Sequence, residues 1–226
     1  MLAQDESRRE EENQATNSFY LEQDLMPDAN VGARDWKSFP PTIYNGDWQG
    51  ALSHPALETA VRSRWSKDFV YFAFSCRYRD LNVNDNPHID KKTMHLWDRD
   101  VVEVYLQPPS CGSHSYYEFE MSPAGEWLDL YGDVSREIED FSWQSGMEVA
   151  SGIDAPHRLW HVVCRIPQSC FGCQIKAGDT WKGNFYRIDG KGDRTFLAWS
   201  PTMTTEARFG VPERFGFIRF LESVTT

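Results

Sequence analysis

Between Leu96 and Tyr131 three successive stretches alternate apolar and polar residues, and a period of two restricts this part of the chain to antiparallel sheet with two unlike faces. In the first, Val101 to Gln107, the side chains of Val102, Val104 and Leu106 share one side while Val101, Glu103, Tyr105 and Gln107 share the other. In the second, Tyr117, Phe119 and Met121 oppose Tyr116, Glu118 and Glu120. In the third, Leu128 and Leu130 are set against Trp127, Asp129 and Tyr131, and the leucines read as the core side. The expectation is a meander with one aliphatic face and one face of carboxylates and aromatics.

Further short runs extend the pattern. Thr59 to Trp65 and Phe69 to Tyr78 read as a hairpin turning at Ser66-Lys-Asp68, followed by a long polar loop from Asp80 to Met94. Strands are also expected at Ser142 to Gly152, Arg158 to Ile166, Trp181 to Asp189, Thr195 to Ser200 and Phe215 to Phe220. About ten short strands without a strong amphipathic helix predict an all-β fold, a two-sheet antiparallel β-sandwich of jelly-roll type. Residues 1–18 are polar at their start and without periodicity, which predicts a flexible leader; residues 19–226 then form a single sandwich domain. The stretch from Tyr20 to Gly50 is expected to wrap the sandwich irregularly and bury Trp36 and Trp48. Trp65 and Trp160, inside strands, are expected in the core.

A net charge of −11 argues against nucleic acid or an anionic membrane surface as partner, since either needs a basic patch. No apolar run approaches the ~18 residues of a membrane-spanning helix. The opening Met-Leu-Ala-Gln fits the end of a removed signal peptide, which predicts a secreted or periplasmic protein. Cys76 and Cys164 lie in apolar strands and read as packing residues. Cys170-Phe-Gly-Cys173 has CxxC spacing but no second ligand pair at zinc-finger distance, so with Cys111 it reads as loop thiols, free or locally bridged.

Chemistry is concentrated near the first alternating stretch. Asp98, Asp100, Glu103, Glu118 and Glu120 are the paired carboxylates that acid–base catalysis would use, although a solvated acidic face is the plainer reading. No nucleophile elbow, zinc-protease helix or phosphate loop is present, and an enzyme is not expected. Asp80, Asn82, Asn84 and Asp85 offer alternating oxygens of the kind Ca2+ takes, without the glycine and glutamate of an EF-hand; a simple polar loop is the competing reading. Trp97, an aromatic at the entrance to a strand bearing Glu103 and Tyr105, has the make-up of a sugar platform: the ring covers a sugar's C–H face and leaves the hydroxyls to polar groups.

Trp97-Asp-Arg-Asp-Val-Val-Glu103 resembles the Trp-Glu-x-Asp-x-Val-Glu signature of family 9 carbohydrate-binding modules. Arg64-Trp-Ser-Lys-Asp-Phe-Val-Tyr-Phe-Ala-Phe74, Tyr117-Glu-Phe-Glu-Met-Ser-Pro123, Gly183-Asn-Phe-Tyr-Arg-Ile-Asp189 and Ala198-Trp-Ser-Pro201 with Arg214 to Phe220 resemble further segments of that family in the same order. The resemblance runs from about residue 45 to 221 and is nearest to stand-alone, secreted bacterial proteins. It implies a non-catalytic sandwich that holds a glucan, xylan or small sugar, often at a chain end, between two tryptophans. By position it makes Trp97 the first of these and Glu103 a hydroxyl-binding carboxylate, with Phe209 in place of the second tryptophan. Glu120, Arg187 and Glu206 stand where the family has arginine, glutamine and asparagine, which either preserves a charged network with its partners reversed or marks a changed ligand. Two other readings are a haem-binding cytochrome-like sandwich and an interaction subunit that has lost sugar binding.

Overall fold

A computed structural model describes residues 14–222, and the regular structure of the chain there is almost entirely strand. These are β1 (Ala15–Tyr20), β2 (Thr42–Tyr44), β3 (Thr59–Trp65), β4 (Phe69–Arg77), β5 (Val101–Gln107), β6 (Ser115–Met121), β7 (Trp127–Asp133), β8 (Ile138–Asp140), β9 (Glu148–Asp154), β10 (Leu159–Pro167), β11 (Thr180–Asp189), β12 (Thr195–Ala198) and β13 (Gly216–Leu221). One layer runs β8-β7-β6-β5-β11-β13 and the other β3-β4-β10-β9, with β12 added beside β11 and β2 beside β3. Their inner faces meet in the main core. Val102, Val104, Leu106, Phe119, Phe185 and Ile218 come from the first layer, and Val61, Phe72, Phe74, Trp160 and Val162 from the second. Phe185 marks the contact, its ring 5.7 Å from that of Phe72 and 6.0 Å from that of Phe74. The β-sandwich expected from the alternation is the observed architecture, and Trp65 and Trp160 are buried in it.

The boundary of the expected leader needs correction. Residues 1–13 of it lie outside the described residues, but Ala15–Tyr20 is a strand. It pairs in parallel with β13 (Ala15 opposite Phe217, Phe19 opposite Leu221) and with β3 (Ser18 opposite Ser63). Strand β1 thus stitches the two layers into one continuous ladder. Ser18 is fully buried and accepts a 2.9 Å hydrogen bond from the Ser63 hydroxyl, an arrangement that a polar composition conceals. β1 is also the exception to antiparallel pairing.

Strand β7 corrects a second expectation. Its alternation is real but the faces are exchanged: Leu128 and Leu130 stand opposite Glu120 and Glu118 on the outer face, while Trp127, Asp129 and Tyr131 turn inward. An inward carboxylate is tolerated because Lys92 reaches over the edge of the layer and meets Asp129 at 2.6 Å, with Ser145 N–H donating to the same carboxylate at 2.7 Å. On the outer face of the second layer, Trp36 from the one-turn helix Arg34–Lys37 is buried with Leu21 against Tyr71, Ala73 and Val163, so that segment does wrap the sandwich.

Arg187 on β11 also points inward and is fully buried. Its guanidinium donates to the Leu57 carbonyl at 3.0 Å and the Thr59 hydroxyl at 3.1 Å, ion-pairs with Asp189, and lies 5.8 Å from the Trp160 ring. It therefore fastens β11 to the start of β3. Removing one member of a buried ion pair strands the other without water, at a cost of roughly 3–5 kcal/mol. Chemical denaturation of Arg187→Met is accordingly expected to show a loss of that order. Unchanged stability would contradict this role.

Candidate functional site

The outer face of the first layer carries a groove of about 670 Å³. Its floor follows from register: Glu103 on β5 stands opposite Glu120 on β6, Tyr105 stands opposite Glu118, and Leu130 of β7 follows beyond Glu118. The walls come from Trp97, Tyr116, Phe141, Ile188, Phe196 and the segment Ala207–Gly210, with Asp133, Glu137, Ile138 and Glu139 along the β7–β8 edge. Beneath it, Val101, Tyr105, Leu128, Tyr186 and Phe215 form a second apolar cluster that supports the floor.

Trp97 is half-buried in a tight turn, Leu96–Asp98, that His95 enters with a left-handed backbone (φ 59°). Its ring lies 5.0 Å from His95 and 6.1 Å from Phe141, and Arg194 fixes the turn by donating to the Trp97 carbonyl at 2.8 Å. Phe209 stacks on Tyr186 with ring centroids 4.1 Å apart and planes within 7°, and the Tyr186 hydroxyl donates to the Phe209 carbonyl at 2.9 Å. One face of Phe209 is thus occupied by the protein, and the residue still lines the groove. Tyr116 is held between Gly132 and Gly210. A Cβ at either would fall inside van der Waals contact with its ring or hydroxyl, so both positions must lack a side chain for the ring to stand as a wall.

The glutamates form a buried row: Glu103 is 2%, Glu118 8% and Glu120 1% exposed. Burial, then mutual repulsion, holds the carboxyls of Glu103 and Glu120 well above the ordinary carboxylate range. Burial also pushes Glu118 up to about 7, although hydrogen bonds from Tyr105 and Glu120 pull the other way. Among the described residues none of the three is in an ion pair.

Of the residues singled out from sequence, Trp97, Glu103, Glu120 and Phe209 line this groove together. Arg187 does not; it faces the opposite side of β11, inside the sandwich. Glu206 lies exposed on the loop before Phe209 and outside the groove lining. Among the catalytic candidates, Glu118 joins the row. Asp100 is instead fully buried as a structural acceptor for the backbone N–H groups of Asn82 (3.0 Å) and Gly190 (2.7 Å), and Asp98 is exposed beside the turn.

The loop expected to offer calcium ligands uses its oxygens otherwise. Asn82 is buried, its amide donating to the carbonyls of Asp98 and Gly190 and its oxygen accepting from Arg99. Asn84 donates to Glu126 and accepts from Asn86, while Asp80 and Asp85 are exposed. Among the described residues no group of three or more His, Cys, Asp or Glu side chains could hold a metal ion.

Sequence reasoning missed Phe141, Phe196, Arg208, Glu137 and Glu139. The period of β5 and β6 does reach Tyr105 and Tyr116, but the segment 134–147 has no period to follow.

Because the folded chain binds the glutamate protons more tightly than the unfolded chain, the row contributes its stability at and below the ordinary glutamate range, about pH 4.3. The share of Glu118 is lost as pH rises through about 7. Glu118→Gln should therefore flatten the decline of stability over this interval, measured by denaturation at several pH values, and be more stable than wild type at alkaline pH. Parallel profiles would contradict the assignment.

The model of carbohydrate-binding family 9 matches residues 70–220. Three solved structures share the fold. A candidate carbohydrate-binding protein from Bacteroides uniformis is 21% identical, with a TM-score of 0.68 over 92% of this chain and 99% of that one. A family 9 module from Caldicellulosiruptor kristjanssonii in complex with cellotriose is 14% identical, with a TM-score of 0.65 over 92% and 95%. The structure of a family 9 module from the same organism with glucose gives 15%, 0.64, and 93% and 98%. No curated protein matches. With the family model spanning two thirds of its length, including the strands that bear the groove, the chain belongs to carbohydrate-binding family 9.

Proposed function

We propose that the protein is a non-catalytic carbohydrate-binding module that takes a poly- or oligosaccharide in the groove on the outer face of the first layer. The observation that carries this reading is the joint placement of Trp97 and Phe209 with the floor carboxylates Glu103 and Glu120 around one cavity of about 670 Å³. A sugar ring is amphipathic: its C–H face packs on an aromatic ring while its hydroxyls need fixed acceptors at the edge. Trp97 supplies the ring. Glu103, Glu118 and Glu120 supply acceptors held in place by the β5–β6 ladder, so little ordering cost falls on binding. Complexes with cellotriose and glucose in structurally similar modules support the ligand class.

The groove does not suit haem. Among the described residues that line it there is no His, Met, Cys or Lys to supply an axial ligand to iron, and Tyr105 and Tyr116 are buried in the aromatic cluster with Phe215.

A glycan array followed by isothermal titration calorimetry tests the reading. Wild type is expected to bind a saccharide, and Trp97→Ala to lose about ten- to a hundredfold in affinity, the equivalent of the ~1.5–3 kcal/mol carried by a buried aromatic contact. Incubation with the bound oligosaccharide should leave its length unchanged. Equal binding by Trp97→Ala, or no binding to any saccharide, would overturn the proposal and favour an interaction role for this face.

A further inference from the structure

The polar lining of the groove is unusually one-sided. Five glutamates, Glu103, Glu118, Glu120, Glu137 and Glu139, line it, with Asp133, whose carboxylate is taken up by Ser115 and Ser135, against one basic residue, Arg208. No Asn, Gln, Ser, Thr, Lys or His lines it among the described residues, so apart from Arg208, the indole N–H of Trp97 and the hydroxyls of Tyr105 and Tyr116 its polar side chains are carboxyls. A neutral saccharide presents hydroxyls that both donate and accept, and sites for it need donors and acceptors in mixture. An ammonium group presents three N–H donors and no acceptor. The side chains facing this groove are nearer to the complement of the second than of the first.

The floor gives an independent indication. Glu120 is 1% exposed, lines the groove, and its Oε2 is buried with no hydrogen-bond donor outside the carboxyl row itself. A buried carboxylate oxygen in this state is costly, and the cost is relieved by a cation or strong donor brought into the groove. The neighbouring cation that might serve internally is committed elsewhere. Arg194 spends its terminal nitrogens on the carbonyls of Trp97 at 2.8 Å and Arg99 at 2.6 Å.

We propose that the groove selects saccharides carrying a free primary amino group, with the ammonium seated on the row formed by Glu103, Glu118 and Glu120 and a sugar ring against Trp97. This rests on the carbohydrate reading of the groove and narrows it to amino sugars of glucosamine type over neutral glucans. A charge-assisted hydrogen bond in a water-poor site contributes more than a neutral one. The selectivity follows from charge, and it weakens with ionic strength.

The test is calorimetric titration of the full chain at low ionic strength near pH 7, where Glu118 begins to ionise and an amine is still protonated, with three oligosaccharides of equal length. They are a β-1,4-glucosamine oligomer, its N-acetylated form and a cello-oligomer. The glucosamine oligomer is expected to bind about ten- to a hundredfold more tightly than either neutral oligomer. Glu120→Gln and, separately, Glu103→Gln should shrink that preference, and added salt should weaken the glucosamine oligomer more than the others. If the cello-oligomer or the acetylated oligomer binds as tightly as the amine, the charge selection is wrong while the carbohydrate reading stands. If no saccharide binds, both fail. A preference for the amine that survives both substitutions would place the ammonium elsewhere and overturn the assignment to this row.

Discussion

Slipping β5 by one residue against its neighbours would exchange Val102, Val104 and Leu106 for Glu103 and Tyr105 in the main core, and the sandwich would no longer close. That register constraint organises the rest. Val104 is held opposite Phe185 on β11 and Phe119 on β6, which fills the interior, and the same ladder then has to place Glu103 between Tyr186 and Glu120 on the outside. The groove floor is the reverse side of the core. Its carboxylates are as well fixed as the valines behind them.

Holding three carboxyls side by side with little water is unfavourable, and the molecule distributes the cost. Tyr105 hydrogen-bonds to both Glu103 and Glu118, and a further hydrogen bond links Glu118 to Glu120. The aromatic cluster under the floor, with Tyr105 5.0 Å from Tyr186 and 5.1 Å from Tyr116, keeps the row from sinking into the protein or swinging out of it. Folding stability is thereby spent on an arrangement that packing alone does not require, as is usual where a fold bears a binding site. Arg187 shows the contrasting case: a charge on the inner face, buried with its counter-ion and hydrogen-bonded to backbone, serves cohesion between layers.

The alternation of β5 and β6 made their two faces legible, because the aliphatic residues all fall on one side. In β7 the same period left the face open. Leu128 and Leu130 look like core residues until Lys92, thirty-odd positions away, covers Asp129 and turns the strand over. β1 was illegible for a related reason: its partners, β13 and β3, lie far along the chain, and its Ser18 and Thr16 are satisfied only in the fold, by Ser63 of β3 and Thr42 of β2. Of the residues singled out by the resemblance to the family, the fold brings Trp97, Glu103, Glu120 and Phe209 to one groove. Arg187 lies inside the sandwich, since position in a motif does not reveal which side of a strand a long cation occupies, and Glu206 lies on an exposed loop. Phe141, Glu137 and Glu139 approach the groove from a segment with no periodic pattern, so tertiary contact alone discloses them.

The central claim is that the outer face of β5 and β6 is where ligand binds, and a crystal structure of the chain with a bound oligosaccharide tests it most directly. The account predicts a sugar ring against Trp97, with a hydroxyl or amino group within hydrogen-bond distance of Glu103 or Glu120. A saccharide seated on another surface, with the carboxylate row untouched, would contradict it.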